Sequence, residues 1–285
     1  MIAKRFMSGS NIFKLIFLII CSIFVIFPLY WMLSTSFKNL GDVLSMPPQL
    51  WPIRPTLENF KRVLFAYPGQ RVFFMTFFKN SLIVGSGTVI FSTSLAALSA
   101  YVFSRYRFVG RKVILNAVLI FQMFPLVLLL ISFYAMFSKL GLLNTHIGLI
   151  IAHTSFALPL CTWMLKGFFD KIPKSIEEAA LIDGCSQLQI VTKIIFPLAL
   201  PGIFSVAVFA FLTSWDEYLF ALTLIATDEV RTLPPGMVLT FVGQFEIRWG
   251  DMMAASVVVT IPIAIIFLIS QRLLIEGLTS GAVKE

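Results

Sequence analysis

Charge is scarce in this chain. Only 13% of its 285 residues are Asp, Glu, Lys or Arg, where a soluble domain carries about 25%. Histidine is limited to His146 and His153, and neither has a ligand cluster near it in sequence. The cysteines are Cys21, Cys161 and Cys185, with no C-x-x-C spacing, so neither a zinc site nor a disulfide frame is expected. No G-x-x-x-x-G-K-[ST] phosphate loop occurs, so a P-loop nucleotide site on this chain is not expected. The activated nucleophile or metal cluster of a membrane enzyme is missing. So are a channel filter and the paired broken helices of a lone secondary transporter.

Apolar residues are abundant instead. They make up 58% of the chain, 30 of them phenylalanine, and mean hydropathy is +0.92. Such a chain needs a lipid bilayer as its solvent. The net charge of +8 would point to nucleic acid in a soluble protein. In a membrane protein it reflects the cytoplasmic excess of Lys and Arg, and no nucleic-acid partner is expected. The phenylalanines by themselves identify no ligand site, because most such residues face lipid or pack between spans.

A span needs about 20 mainly apolar residues. Six runs qualify, at roughly 12–36, 74–103, 113–137, 147–165, 201–226 and 252–275. The expected fold class is therefore an all-α membrane protein with six transmembrane helices. The first run is too long for a cleaved signal peptide and lacks an A-x-A-like site, and Tyr30 and Trp31 suit an interfacial anchor. The N-terminus carries Lys4, Arg5 and Lys14. The loop holding Arg105, Arg107, Arg111 and Lys112 has no acidic residue, whereas the next loop has only Lys139. Both termini are thus expected in the cytoplasm, with 38–73 as a periplasmic segment and 276–285 as a cytoplasmic tail. Prolines 47, 48, 52 and 55 predict extended chain there, followed by a helix from Thr56.

The segment 166–200 is then the longest cytoplasmic loop, and its pattern is polar. Pro173 stops one element. Ser175 and Glu178 have the spacing of a capping box. Glu177 and Glu178 favour the positive end of the helix. Ala179 and Ala180 allow a partner surface close to the backbone, and Gly184 suits a left-handed helix end. A second helix is expected from Gln187 to Ile195, with Pro197 breaking it. Taken alone, Glu-Ala-Ala is compatible with an ordinary solvated helix.

As a whole, the segment resembles the EAA motif of permease subunits of bacterial ABC importers. It reads E-A-A (178–180), three residues, Gly184, nine residues, then Ile194-Ile195-Phe196-Pro197, with Phe196 where that pattern prefers Leu. Further resemblance to carbohydrate permeases lies in Ala100–Phe108 with Gly110-Arg111, in Leu140–Thr145, and in Trp215-Asp216-Glu217-Tyr218. The end of the chain, Gln271-Arg272 and Gly277–Lys284, resembles the shorter permease of maltose-type systems.

The resemblance implies the type I permease fold of ABC importers, working by alternating access. It implies that this loop is a coupling helix docking in a cleft of an ATPase. Glu178, Ala179, Ala180, Asp183 and Gly184 would make that contact, and Gly277, Leu278, Thr279 and Gly281 would reach the ATPase dimer from the tail. The implied partners are a second permease, two ATPase subunits that hold ATP and magnesium, and an extracytoplasmic solute-binding protein. The cargo would be a sugar or oligosaccharide. This chain itself would be no enzyme and would hold no cofactor or metal.

For the path, the candidates are Asp216, Glu217, Asn80 and Gln122, because ionisable or amide groups at membrane depth are costly unless paired or wet. Asp216 and Glu217 are adjacent, so one is expected to face the path and the other a neighbouring span; alternatively Trp215 marks an interface with both near water. Lys79 is expected to snorkel, Asn80 and Ser81 to bond between spans, and Asn116 is a weaker candidate. The basic outer residues Arg54, Lys61, Arg62 and Arg71 are compatible with an acidic cargo such as an alginate-type oligomer, beside neutral maltose-like or glycerol-linked sugars. A polyamine or peptide importer, or a stand-alone transporter, remains the alternative.

Overall fold

The computed structural model describes residues 9–65, 74–242 and 247–279, with side chains from Phe13 to Gln271 within those limits. Helix accounts for nearly all of its regular structure. The elements run α1 (Gly9–Ser36), α2 (Leu40–Val43), α3 (Glu58–Phe65), α4 (Phe74–Arg105), α5 (Arg111–Gln122), α6 (Leu126–Lys139) and α7 (His146–Lys171). They continue with α8 (Lys174–Ile182), α9 (Gln187–Gln189), a π-helical stretch (Ile190–Ile195), α10 (Phe196–Leu198), α11 (Leu200–Trp215), α12 (Leu219–Leu224), α13 (Leu233–Phe241) and α14 (Trp249–Thr279).

Among the described residues four helices are long and apolar enough to cross a membrane: Phe13–Ser36, Phe74–Arg105, His146–Lys171 and Trp249–Gln271. Two further candidates are broken. The pair Arg111–Gln122 and Leu126–Lys139 bends by 98°, and Gln187–Leu198 with Leu200–Trp215 bends by 75°. The first break falls before Pro125, whose ring bars helix at the residue before it. The expected run at 113–137 is therefore two helices. The expected run at 201–226 ends as α11 at Trp215 and resumes as the short α12. The run at 147–165 is longer than expected, since α7 continues to Lys171.

The chain forms two compact units, Met1–Phe74 with Leu239–Ile261 and Met75–Val238 with Pro262–Glu285. In the first, the extended segment after α1 is pinned by named bonds. Asn59 Nδ2 donates to the carbonyls of Ser36 and Lys38, at 2.9 and 2.8 Å. Phe37 packs on Trp51 and Phe60. The helix expected from Thr56 begins at Glu58, whose N–H donates to the Thr56 hydroxyl.

The second unit is organised round α7, which packs against α5, α11 and α12. One cluster joins Ala96, Ala97 and Ala100 of α4 to Ala157, Cys161 and Leu165 of α7 and Val206 and Ala210 of α11. Small residues let these helices approach closely, the usual means of association where lipid already satisfies apolar surface. Gly202 shows the limit: a Cβ there would collide with the Phe168 ring. A second cluster gathers Phe137, Phe156 and Phe220 with Val84, Leu149 and Leu224. Much of α1 is apolar and exposed all round, as lipid contact requires.

Candidate coupling surface and path residues

The polar loop folds as a compact hairpin of helices, α8 then α9. Gly184 has φ +82°, the left-handed region, and closes α8. The N–H of Gly184 donates to Leu181 O and that of Cys185 to Ala180 O, which is the Schellman pattern. Nothing lies near the position of a Cβ on Gly184, so its requirement is conformational.

The capping box is not where the sequence placed it. Pro173 is the residue before α8, and no side chain caps that helix. Ser175 falls inside the first turn, so its hydroxyl is past the capping position. The box forms one helix later: the Ser186 hydroxyl caps α9 by accepting from the Gln189 N–H, and the Gln189 side-chain oxygen accepts from the Ser186 N–H at 2.8 Å. The helix break expected at Pro197 is also displaced, since helix continues to Leu198. The π-helical stretch just before it widens the turn where the ring would otherwise meet the carbonyl four residues back.

Burial separates two adjacent glutamates. Glu178 is exposed, together with Ala179, Asp183 and Gly184, whereas Ala180 is buried against the core. Around Glu178, Ile182 is 87% exposed, Leu188 73% and Leu181 53%. An acidic group rimmed by bare aliphatic side chains, at a polar end of the helices, has the makeup of a protein docking surface.

Glu177 turns inward. It forms an ion pair with Arg105, both side chains nearly buried. Tyr101 donates to Glu177 Oε2 at 2.9 Å, and Gln187 Nε2 donates to the Tyr101 hydroxyl at 2.7 Å. Arg105 also donates to the last carbonyls of α7, Phe169 O at 2.9 Å and Ile172 O at 3.1 Å. Ser104 donates to Asp170 at 2.7 Å. One guanidinium thus ties the end of α4 to the end of α7 and to α8, and its fork geometry satisfies all three at once. Sequence reading missed this clamp, because 72 residues separate its charged partners.

The path candidates are scattered. Asn80 is buried and donates to the carbonyls of Glu229 and Arg231, both at 2.9 Å, while Ser81 accepts from the Leu233 N–H. Asn80 thus binds the loop before α13 and Ser81 the first residue of α13. Gln122 donates to Phe156 O at 2.9 Å across to α7. Lys79 and Asn116 are exposed. Asp216 is exposed just beyond α11, while Glu217 is half-buried at the break. Glu217 accepts from the N–H groups of Phe220 and Ala221, at 2.8 and 2.9 Å, and so caps α12. Its Oε2 also lies 3.2 Å from His153 Nε2. With Nε2–H donating to the carboxylate, His153 can accept at Nδ1 from the Ser214 hydroxyl at 2.7 Å. The division of labour expected for the pair holds in one respect: Glu217 bonds a neighbouring helix. Trp215, in contrast, is 1% exposed and stacks on Phe211, so it marks core and no interface. His153 was passed over in the sequence. The signal available was Ser214 and Glu217, three apart and able to converge on one neighbour.

Among the described residues no three His, Cys, Asp or Glu side chains gather as a metal site would need. In the first unit, a cavity of about 250 Å³ is lined by Lys38, Asn59, Arg62, Arg248 and Asp251. Arg62 pairs with Asp251 at 2.8 Å, and Arg248 lies 3.9 Å from the same carboxylate. Burial pushes the Lys38 amine below its usual pKa, with Asp42 opposing; its Nζ donates to Gln49 O at 2.6 Å and lies 4.1 Å from the Trp31 ring centre. Of the tail residues, Gly277, Leu278 and Thr279 continue α14, and Gly281 lies outside the described residues.

Comparison with known proteins gives a consistent result. Residues 92–280 match the family described as binding-protein-dependent transport system inner membrane component. Over 275 residues the chain is 38% identical to the trehalose/maltose transport system permease protein MalG of Thermococcus litoralis, covering 96% of this chain and 97% of that one. It is 36% identical over 259 residues to the sulfoquinovosyl glycerol transport system permease protein SmoH of Agrobacterium fabrum, covering 91% and 89%. In structure it is similar to a chain of a bacterial ABC transporter involved in the import of the acidic polysaccharide alginate, with TM-score 0.79 over 93% of this chain and 98% of that chain. At 23% sequence identity that likeness speaks to fold.

Proposed function

The chain belongs to the family of binding-protein-dependent transport system inner membrane components, and from that premise we propose that it is the permease subunit of an ATP-driven importer of a sugar or oligosaccharide. The observation that carries this reading is identity above a third, across almost the whole chain, to permeases named for sugar transport. The exposed acidic and aliphatic surface of α8 and α9 supports it, because such a surface outside lipid calls for a protein partner.

In this reading each bent pair is one span, which gives six spans with both termini in the cytoplasm of a multi-pass inner-membrane protein. Two ATPase subunits hold ATP and magnesium, and this chain holds neither. Glu178, Ala179, Asp183 and Gly184 meet an ATPase cleft, while Ala180, expected there too, instead packs α8 on the core; Gly277, Leu278, Thr279 and Gly281 meet the ATPase dimer. A second permease completes the path, and an extracytoplasmic binding protein delivers cargo. ATP closure moves the coupling helix, and the Arg105–Glu177 clamp carries that motion to α4 and α7. Asp216, Glu217, Asn80 and Gln122 then act mainly by setting where the broken helices sit, with Asp216 the one still free to meet cargo. The basic outer segment with Arg54, Lys61, Arg62 and Arg71 is compatible with acidic saccharides, since basic surface concentrates anions.

The test is ATPase activity of the complex, purified through this subunit into proteoliposomes, with a binding protein and a panel of neutral and acidic oligosaccharides. Stimulation by a saccharide class supports the reading and identifies the cargo. A chain that purifies without an ATPase and transports alone overturns it.

A further inference from the structure

We propose that a basic cavity at the junction of α5 and α7 binds the phosphate headgroup of an anionic phospholipid. The cavity, about 670 Å³, is lined by Arg107, Arg111, Lys112 and Lys166 together with Phe108 and Val113. Four cations therefore converge on one concavity. Lys166 pairs with Asp170, which also feels the charge of Arg111. Among the described residues, Arg107, Arg111 and Lys112 form no ion pair.

The backbone adds to the excess. Helix α5 opens at Arg111 with no side-chain cap and no acidic residue in its first turn. A helix N-terminus already carries about half a positive charge, so Arg111 and Lys112 are placed where like charge is repelled. A phosphate oxygen set in the cavity reverses the sign of all these interactions.

The walls identify the rest of the ligand. Phe108 and Val113 line the cavity, and Val113 and Val109 stand 71% and 103% exposed beside it. A free inorganic anion would leave this apolar rim bare, whereas an acyl chain would cover it. The cavity also lies at the same end of the helices as α8, because Ser104 bonds Asp170 and Arg105 pairs with Glu177. This inference rests on the orientation proposed above: with α8 in the cytoplasm, the cavity meets the inner leaflet, where basic pockets between spans recruit anionic lipid.

The experiment uses the complete complex in nanodiscs, with the ATPase subunits verified on the gel, so that loss of assembly is distinguished from loss of lipid. Spin-labelled phosphatidylglycerol and phosphatidylcholine are compared for the motionally restricted fraction. The expected result is preferential restriction of phosphatidylglycerol. Arg107→Gln with Lys112→Gln should weaken that preference by roughly fivefold for each charge removed, while Arg107→Lys with Lys112→Arg retains it. Basal ATPase activity, read in parallel, should be unchanged. Equal restriction of the two lipids, or no effect of the Gln pair, overturns the proposal. Full displacement of the labelled lipid by millimolar inorganic phosphate also overturns it and assigns the cavity to a soluble anion.

Discussion

Glu177 and Glu178 are neighbours with the same side chain, yet the fold gives them opposite surroundings. Removing the buried partner of Arg105 leaves an unpaired charge inside the protein, which costs about 3–5 kcal/mol. Glu177→Ala should therefore lower the thermal unfolding temperature of the purified complex and its yield in the membrane. Glu178→Ala should leave stability within about 0.5 kcal/mol, as an exposed change does, and instead abolish the stimulation of ATPase activity by binding protein. The pair of melting curves and the pair of ATPase assays separate the roles; equal melting and equal stimulation in both variants would sink the assignment. Gly184 gives a second contrast. Its surroundings are empty but its φ is +82°, so a side chain there costs about 1–2 kcal/mol in backbone strain and meets no neighbour. Gly184→Asn, which tolerates that region, should retain transport, whereas Gly184→Asp should reach the membrane and lose coupling because it adds a charge on the docking face. Normal transport by the Asp variant would refute the docking role. Gly184 was legible in the sequence because a helix end with glycine is a local pattern. The inward turn of Glu177 was not, since it depends on where α4 and α7 end.

At the scale of elements, four of the six long apolar runs form single helices long enough to cross a membrane, because a span is a matter of composition over about 20 residues. Their breaks were less legible. Pro125 divides the third run into two helices bent by 98°, while Pro197 leaves its helix continuous to Leu198. Proline type alone does not set a break, since Pro28, Pro159 and Pro262 also sit inside continuous helices. Polar contacts between elements were the least legible, as His153, Ser214 and Glu217 meet across more than 60 residues of chain. Whether α5 and α6 form one bent span or a re-entrant loop has a direct test. Val109 and Leu140 are both exposed, one before α5 and one just after α6. With Cys21, Cys161 and Cys185 replaced by Ser or Ala, Val109→Cys should resist a membrane-impermeant maleimide in intact cells and Leu140→Cys should react. Labelling of both from the outside would show a re-entrant pair and remove one of the six proposed spans.

For the whole molecule, coupling means that ATP and loaded binding protein bias one equilibrium between two conformations. When the closed, ATP-hydrolysing state is the minor one, the rate of hydrolysis follows its population. A typical coupling free energy of about 1–3 kcal/mol then raises the rate about 5- to 150-fold. Sugar-loaded binding protein should stimulate the reconstituted complex within that range, and no ligand with equal affinity for both states should stimulate at all. Cargo class enters through charge. If the basic outer segment that holds Arg54, Lys61 and Arg62 serves delivery, acidic oligosaccharides should stimulate at lower concentration than neutral ones of equal length. Their advantage should shrink as salt is raised from 0.01 to 0.15 M, where the screening length falls from about 30 to 8 Å. Arg62 is held by Asp251, so Arg62→Gln would also leave that carboxylate without its partner and confound the reading. Salt dependence avoids that problem because it leaves every bond of the cavity in place. A stimulation that is the same for neutral and acidic saccharides at both salt concentrations would assign the cations a structural role and make a neutral sugar the cargo.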